Sequence, residues 1–440
     1  MKILSITAGA GPMYCGSCLR DNALARELIR QGHDVVLLPL YTPTRTDDVN
    51  VSSPRVFFGG ISIYLQQKLP IFRRTPKFLD KLWDLPGVIS LFAGRGVEVD
   101  PAQLGALTVS ILEGAGGRQR KEIDNLVDWL LHEPAPDLVT LPYTLLIALA
   151  RPLKQATGRP VVCSLQGEEL FLDGLTEPWR ARALDLIRRQ VDDVDAFIAV
   201  SHHEARHMRR YLGIPEEKLH VVPLGIATEG HSLERRARPG TWNVGFLGRI
   251  APEKGLHVAA EAYRTLRERG GLPPCCFHVA GYMAPEKRPY FEEVRRRFRE
   301  WGLEAEFRHW GEVDREGKIR FLQSLDVFSM PATYDEPKGL PVLEAMANGV
   351  PVVQPRRGAF PEMIEATGGG LLVDPDSPGA LADAWHRILA DPALAQKLGR
   401  NGCEAVHRDW TLERMALRTA GVYRRVIDPI LAATGAGTGA

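Results

Sequence analysis

Short apolar runs, each followed by a helical stretch, recur along this 440-residue chain. That alternation constrains the fold more than any other feature, because strands joined through helices pair in parallel and need cover on both faces of their sheet. Ile3, Leu4 and Ile6 make the first strand, and Gly9, Gly11 and Gly16 open the loop after it. The next stretch carries Leu19, Ala23, Leu24, Leu28 and Ile29 on one side and Arg20, Arg26 and Arg30 largely on the other, the period of a helix with one buried face. Gly32 stands where a helix cap belongs, and Val35-Val36-Leu37-Leu38 follows, apolar on both faces as parallel strands are. The pattern returns at Asp137–Leu141, Pro160–Leu165 and Ala196–Val200. A polar, charged stretch from His231 to Pro239-Gly240 reads as a linker. Beyond it the alternation restarts at Trp242–Leu247, Cys276–Ala280, Asp326–Met330, Pro351–Gln354 and Gly370–Val373. The length exceeds what a single core serves, so two α/β domains in series are expected.

Between Val49 and Gly117 the rhythm breaks. Phe57, Phe58, Ile61, Tyr64, Phe72 and Trp83 mix there with Lys68, Arg73, Arg74, Lys77 and Lys81. One reading is an insertion of short helices packed on the first domain. The other is a basic-aromatic surface over residues 57–83 that touches a membrane or an acceptor. Net charge argues against a nucleic-acid binder, since 55 Lys+Arg stand against 54 Asp+Glu, leaving +1. Six scattered cysteines do not make a disulfide framework. The chain opens directly on a strand with no secretory signal, and the apolar stretch Leu138 to Ala150 is too short to span a bilayer. A cytoplasmic protein, with peripheral membrane contact as an option, is expected.

The first glycine loop does not fit a dinucleotide fingerprint. Gly9, Gly11 and Gly16 miss the G-x-G-x-x-G spacing, and the second strand ends Pro39-Leu40-Tyr41-Thr42 without the acid that holds an adenosine ribose. Cys15 and Cys18 have C-x-x-C spacing but lack both a second ligand pair and a redox context. His202, His203 and His207 follow Ser201 on a helix with Glu204 in capping-box position, a surface or interdomain helix rather than a ligand cluster. Phe298, Trp301, Phe307 and Trp310 read as core packing.

The strongest chemical signal lies in the second half. Gly245-Phe246-Leu247-Gly248-Arg249 ends a strand, and Glu253-Lys254-Gly255 leads into a helix. Such a turn gathers backbone N–H groups, a helix N-terminus and two cations, an arrangement suited to a diphosphate. Arg249 can bind it in bidentate fashion and Lys254 as a point charge. Further on, Glu336 precedes the helix opened at Gly339 or Leu340, and Glu344 lies about one turn inside it. Two carboxylates reading sugar hydroxyls beside a cationic clamp describe a nucleotide-sugar pocket.

These pieces together resemble glycosyltransferase family 4, a retaining group with the GT-B fold of two facing Rossmann-like domains. The resemblance runs from Arg26–Val35 through Ala199-Val200-Ser201, Val221-Val222-Pro223, Gly248-Arg249, Lys254-Gly255 and the two glutamates to Gly349–Val353. It implies an acceptor-side domain over 1–230 with the 49–117 insertion, a linker at 231–240, a donor-side domain over 241–410, and a helix over 411–431 crossing back to the first domain. It implies that Arg249 and Lys254 bind the donor diphosphate and stabilise the leaving group in place of a metal, so no metal or other cofactor is expected. Glu336 would hold the transferred sugar and Glu344 the donor ribose. Gly248, Gly339 and Leu340 would approach phosphate and sugar, and Gly11 and Gly16 would border the cleft. Gln166 stands where many members carry a His on the donor sugar, and it cannot share a proton near pH 7 as His can. The expected partners are a nucleotide sugar and a glycan, lipid or small-molecule acceptor. The competing readings are a non-catalytic nucleotide-sugar-binding protein of the same fold and a GT-B nucleotide-sugar epimerase; an NAD oxidoreductase fits the first loop poorly.

Overall fold

The computed structural model describes residues 1–9, 16–44, 46, 49–57, 101–233 and 240–435. Gly11, Cys15, the basic-aromatic segment from position 58 and the linker interior at 234–239 lie outside them. The chain divides into two compact units: Met1–Val200 with Glu204–Val222 and Ala416–Ala440, and Ser201–His203 with Pro223–Met415.

The first unit is built on β1 (Lys2–Thr7), β2 (Asp34–Pro39), β3 (Leu138–Leu141), β4 (Val161–Leu165), β5 (Ala196–Ala199) and β6 (Leu219–Val221). They form one parallel sheet in the order β2-β1-β3-β4-β5-β6. Every residue of β3, β4 and β5 is buried, as continuous apolar runs covered on both faces must be. β6 escaped the sequence reading as a strand because it is a half-buried edge with His220 at its centre. Gly16 opens the helix Gly16–Arg30 instead of lying in the loop before it. From Ala416 onward the last helix, Leu412–Gly435, belongs to this unit. There Tyr423 is buried, and burial pushes its phenol up to about 12.

The second unit carries β7 (Trp242–Leu247), β8 (Cys275–Ala280), β9 (Phe307–Gly311), β10 (Val327–Phe328), β11 (Val352–Pro355) and β12 (Gly370–Val373). Its parallel order is β12-β11-β10-β7-β8-β9. The chain leaves β7 towards β8 on one side and returns to β10 on the other. Strand order therefore reverses between β7 and β10, the place where open parallel sheets leave a crevice beyond their carboxyl ends. β10 is shorter than the apolar run Asp326–Met330 suggested, and the side chain of Asp326 just before it holds the start of β7. Its Oδ2 accepts from Asn243 N (2.8 Å) and Asn243 Nδ2 (2.9 Å).

The aromatic expectation needs one correction. Phe298 is fully buried, with its ring centroid 5.8 Å from Tyr263, 5.5 Å from Phe277 and 4.8 Å from Phe307. Trp310 instead sits on the edge strand β9, 39% exposed, with its Nε1 donating to His278 Nδ1 at 3.1 Å. Edge strands bury one face only, so a large aromatic there stays half wet. Among the described residues no helix is long and apolar enough to cross a membrane. Phe298→Ala should cost about 3–5 kcal/mol by emptying the centre of the ring cluster, read as a lower urea midpoint at unchanged slope.

Candidate functional site

Two loops meet beyond the carboxyl ends of β7 and β10. The first runs from Gly248 through the short turn Pro252–Lys254 to Gly255, which N-caps the helix Leu256–Glu268. Gly255 has φ +79, and a Cβ there would fall 1.8 Å from the Pro331 carbonyl oxygen. Only glycine allows this approach, which lays the first loop directly on the second. Thr333 N donates to Glu253 O at 2.9 Å and stitches the two together.

The second loop ends at Gly339 (φ 61), with Pro341 in the first turn of the helix Leu340–Ala347. Proline suits that turn, where its missing N–H would have no helical partner. Glu336 is pinned in the loop by its own backbone: its carbonyl accepts from Ala359 N at 2.8 Å, and a Cβ on Gly358 would lie 2.5 Å from its N and O atoms.

The Glu336 side chain is consequently inside, with the residue 3% exposed. Its carboxylate accepts from Lys254 Nζ, from Tyr334 Oη at 2.5 Å, and from the N–H groups of Lys338 (3.2 Å) and Gly339 (3.4 Å). Burial by itself would raise the Glu336 pKa. The Lys254 charge and hydrogen bond, the Tyr334 hydroxyl and the Lys338 charge outweigh it and bring the pKa down to about 2. Glu336 is therefore a fixed anion at neutral pH, an acceptor of hydrogen bonds and not a proton donor. Lys254 Nζ also lies 2.6 Å from Tyr334 Oη and 4.9 Å from the centre of its ring.

The structure thus joins Lys254 and Glu336 directly. Arg249 is placed in the same first loop, 52% exposed at its side chain, with Nη2 at 3.3 Å from Glu253 Oε1. Glu344 lies in the second turn of the Leu340–Ala347 helix, and Lys318 Nζ, from the helix Arg315–Gln323, pairs with it at 2.7 Å. The Gly339 amide serves Glu336, Leu340 is the first helical residue, and Gly248 follows the last residue of β7. Sequence reasoning missed Tyr334 and Lys318. A loop tyrosine and a helix-surface lysine carry no sign in one dimension of the partners they find.

In the first unit, Gln166 follows β4 and is 3% exposed. Its Nε2 donates to Asp21 Oδ1 (3.2 Å) and Pro142 O (2.9 Å), which fixes the orientation of the amide, since both partners only accept. Its Oε1 is buried without a hydrogen-bond partner among the described residues. Asp21 is shared with Thr7 Oγ1 and Arg20 Nη1. A Cβ on Gly16 would meet nothing within 4 Å, so crowding does not demand glycine there. Among the described residues one group of acids lies close together, Glu168, Glu169 and Glu204. Glu168 accepts from the Thr144 and Gln166 amides and Glu204 from the Gly167 amide, so these two carboxylates serve the backbone. Within the second unit, the Glu362 carboxylate accepts from His202 N at 3.0 Å and His203 N at 3.2 Å.

This arrangement, a βα turn carrying cations against an acid-bearing turn at a switch point, defines an α/β protein with a charged crevice beyond the carboxyl ends of its strands, and comparison with known proteins narrows it. The glycosyl transferase 4-like domain matches residues 22–225, and glycosyl transferases group 1 match residues 234–405. Alpha-maltose-1-phosphate synthase of Mycolicibacterium smegmatis is 30% identical over 281 residues, which cover 57% of this chain and 70% of that protein. Glycogen synthase of Mycobacterium tuberculosis is 28% identical over 435 residues, covering 96% of this chain and 94% of that one. The crystal structure of Anabaena Alr3699/HepE in complex with UDP and glucose superposes with a TM-score of 0.65 at 16% identity, covering 96% of this chain and 99% of that chain, a likeness of fold. The chain belongs to glycosyltransferase family 4 and is a glycosyltransferase of the GT-B fold.

The depressed pKa has a measurable consequence. A carboxyl near 4.5 when unfolded and near 2 when folded contributes stability that is complete above about pH 4.5 and disappears as pH falls through 2. Glu336→Gln leaves the Lys254 ammonium buried without its counter-charge and should cost about 3–5 kcal/mol at neutral pH. The stability gap between wild type and variant, measured by urea unfolding, should narrow steadily below about pH 4.5.

Proposed function

We propose that this enzyme moves a glycosyl group from a nucleoside-diphosphate sugar to an acceptor hydroxyl, with retention of anomeric configuration. The observation that carries the proposal is the Lys254–Glu336 unit at the switch point of the second sheet, a cation for phosphate oxygens beside a permanently ionised acceptor for hydroxyls. The UDP and glucose bound by the Anabaena neighbour accord with it. Arg249 and Lys254 take the diphosphate. As the bond from the anomeric carbon to phosphate breaks, the electron pair leaves with the phosphate oxygen, and the two cations stabilise that charge in the role a metal ion fills elsewhere. The acceptor oxygen bonds to the anomeric carbon on the face the phosphate leaves, and its proton passes to the departing phosphate oxygen.

Glu336 holds hydroxyls of the transferred sugar. Its oxygens already accept from Lys254, Tyr334 and two amides, which suits orientation and not nucleophilic attack. Glu344, poised by Lys318, takes the ribose hydroxyls, while Gly248, Gly339 and Leu340 shape the phosphate and sugar walls. The acceptor, a glycan, lipid or small molecule, is read by the first unit, and Gly11, Gly16 and Gln166 are proposed as donor contacts. The buried Gln166 Oε1 offers a hydroxyl an acceptor in a fixed direction. No metal or other cofactor enters this scheme.

Thermal stabilisation by UDP-, GDP- and ADP-sugars identifies the donor, and product analysis with donor alone separates transfer from epimerisation. Lys254→Ala or Arg249→Ala should weaken binding of the selected nucleoside diphosphate about 10- to 100-fold while changing nucleoside binding little, the increment of a charge-assisted hydrogen bond. Equal losses for both ligands would contradict the phosphate assignment. Glu344→Ala should bind ribose and deoxyribose nucleotides about equally, and retained ribose discrimination would overturn its role.

A further inference from the structure

We infer that Tyr334 is a positioning residue for Lys254, setting the direction of the N–H that the donor diphosphate receives; the inference rests on the phosphate role proposed for Lys254. Tyr334 Oη lies 2.6 Å from Lys254 Nζ and 2.5 Å from Glu336 Oε2. Glu336 is ionised and can only accept, so the phenol proton points at the carboxylate and the phenol lone pairs face the ammonium. That settles the polarity of the triad without ambiguity. An ammonium has three N–H donors. One goes to Tyr334 Oη and one to Glu336 Oε2, and these two bonds dictate where the third points.

The ring contributes separately. Its centroid is 4.9 Å from Nζ, within reach of a cation–π attraction, so the lysine stem lies along an aromatic wall. A lysine otherwise brings rotamer entropy to be lost when it grips a ligand. Here the side chain is ordered beforehand, with 13% exposure, by groups outside its own loop. Preorganised donors matter most where charge develops in the transition state, and the leaving diphosphate is that place. Tyr334 acts on the reaction through Lys254 and Glu336, not by touching the reacting atoms.

Tyr334→Phe keeps the ring and removes the hydroxyl. Wild type, Tyr334→Phe and Lys254→Ala, all as the full chain, are titrated by calorimetry with UDP, GDP and ADP and with the matching nucleosides. The diphosphate that binds wild type most tightly is followed further. Tyr334→Phe is expected to bind the nucleoside as wild type does and the diphosphate about tenfold more weakly, and to lower kcat of donor turnover more than it raises KM. An unchanged ratio of diphosphate to nucleoside affinity overturns the inference. A parallel loss of both affinities also overturns it, because that is the mark of a general packing defect. If Lys254→Ala keeps the full diphosphate increment, the phosphate assignment itself falls. If Lys254→Ala loses the increment and Tyr334→Phe keeps it, only the positioning role falls.

Discussion

A carboxylate withdrawn from water stays charged only when a cation and several N–H or O–H donors replace its hydration. Glu336 meets that condition through Lys254, Tyr334 and two backbone amides, and the rest of the second unit is arranged so that it can. The loop after β7 has to lie on the loop after β10, which requires glycine at 255 against the Pro331 carbonyl. The loop after β10 has to be held from behind, which Gly358 and Ala359 do. Both loops leave the sheet at the one point where strand order reverses, so the crevice and the charges coincide.

The same logic appears in weaker form in the first unit. Asp21 gathers Thr7, Arg20 and Gln166 at the carboxyl ends of β1 and β4, and it fixes the Gln166 amide with its oxygen unpartnered among the described residues. A neutral amide oriented by a buried carboxylate offers one polarity at any physiological pH. A histidine in that place would titrate near neutrality. The first unit therefore presents an acceptor and the second a cation–anion pair, two different kinds of polar group on two similar sheets.

Much of the fold was legible because parallel sheets bury both faces and leave continuous apolar runs. β3, β4 and β5 announced themselves that way. β6 and β9 did not, since edge strands are half exposed and carry His220 or Trp310 where a central strand carries Val or Ile. Arg249, Lys254, Glu336 and Glu344 stood out from residue type and spacing beside expected turns, and of these the structure joins Lys254 to Glu336. Tyr334 and Lys318 were not, because their importance lies in what they touch.

The chain's order of residues determined by itself that there would be two parallel α/β sheets, a glycine-bearing cationic turn after one strand and an acidic turn before one helix. These are local matters of periodicity, backbone freedom and side-chain chemistry. Tertiary structure alone decided who pairs with whom: Lys254 with Glu336 across 82 positions, and Glu344 with Lys318 from another helix. The physical reason is that an ion pair depends on distance and burial in space. Strand order and the close approach of two loops set both, and no local pattern in the chain encodes them.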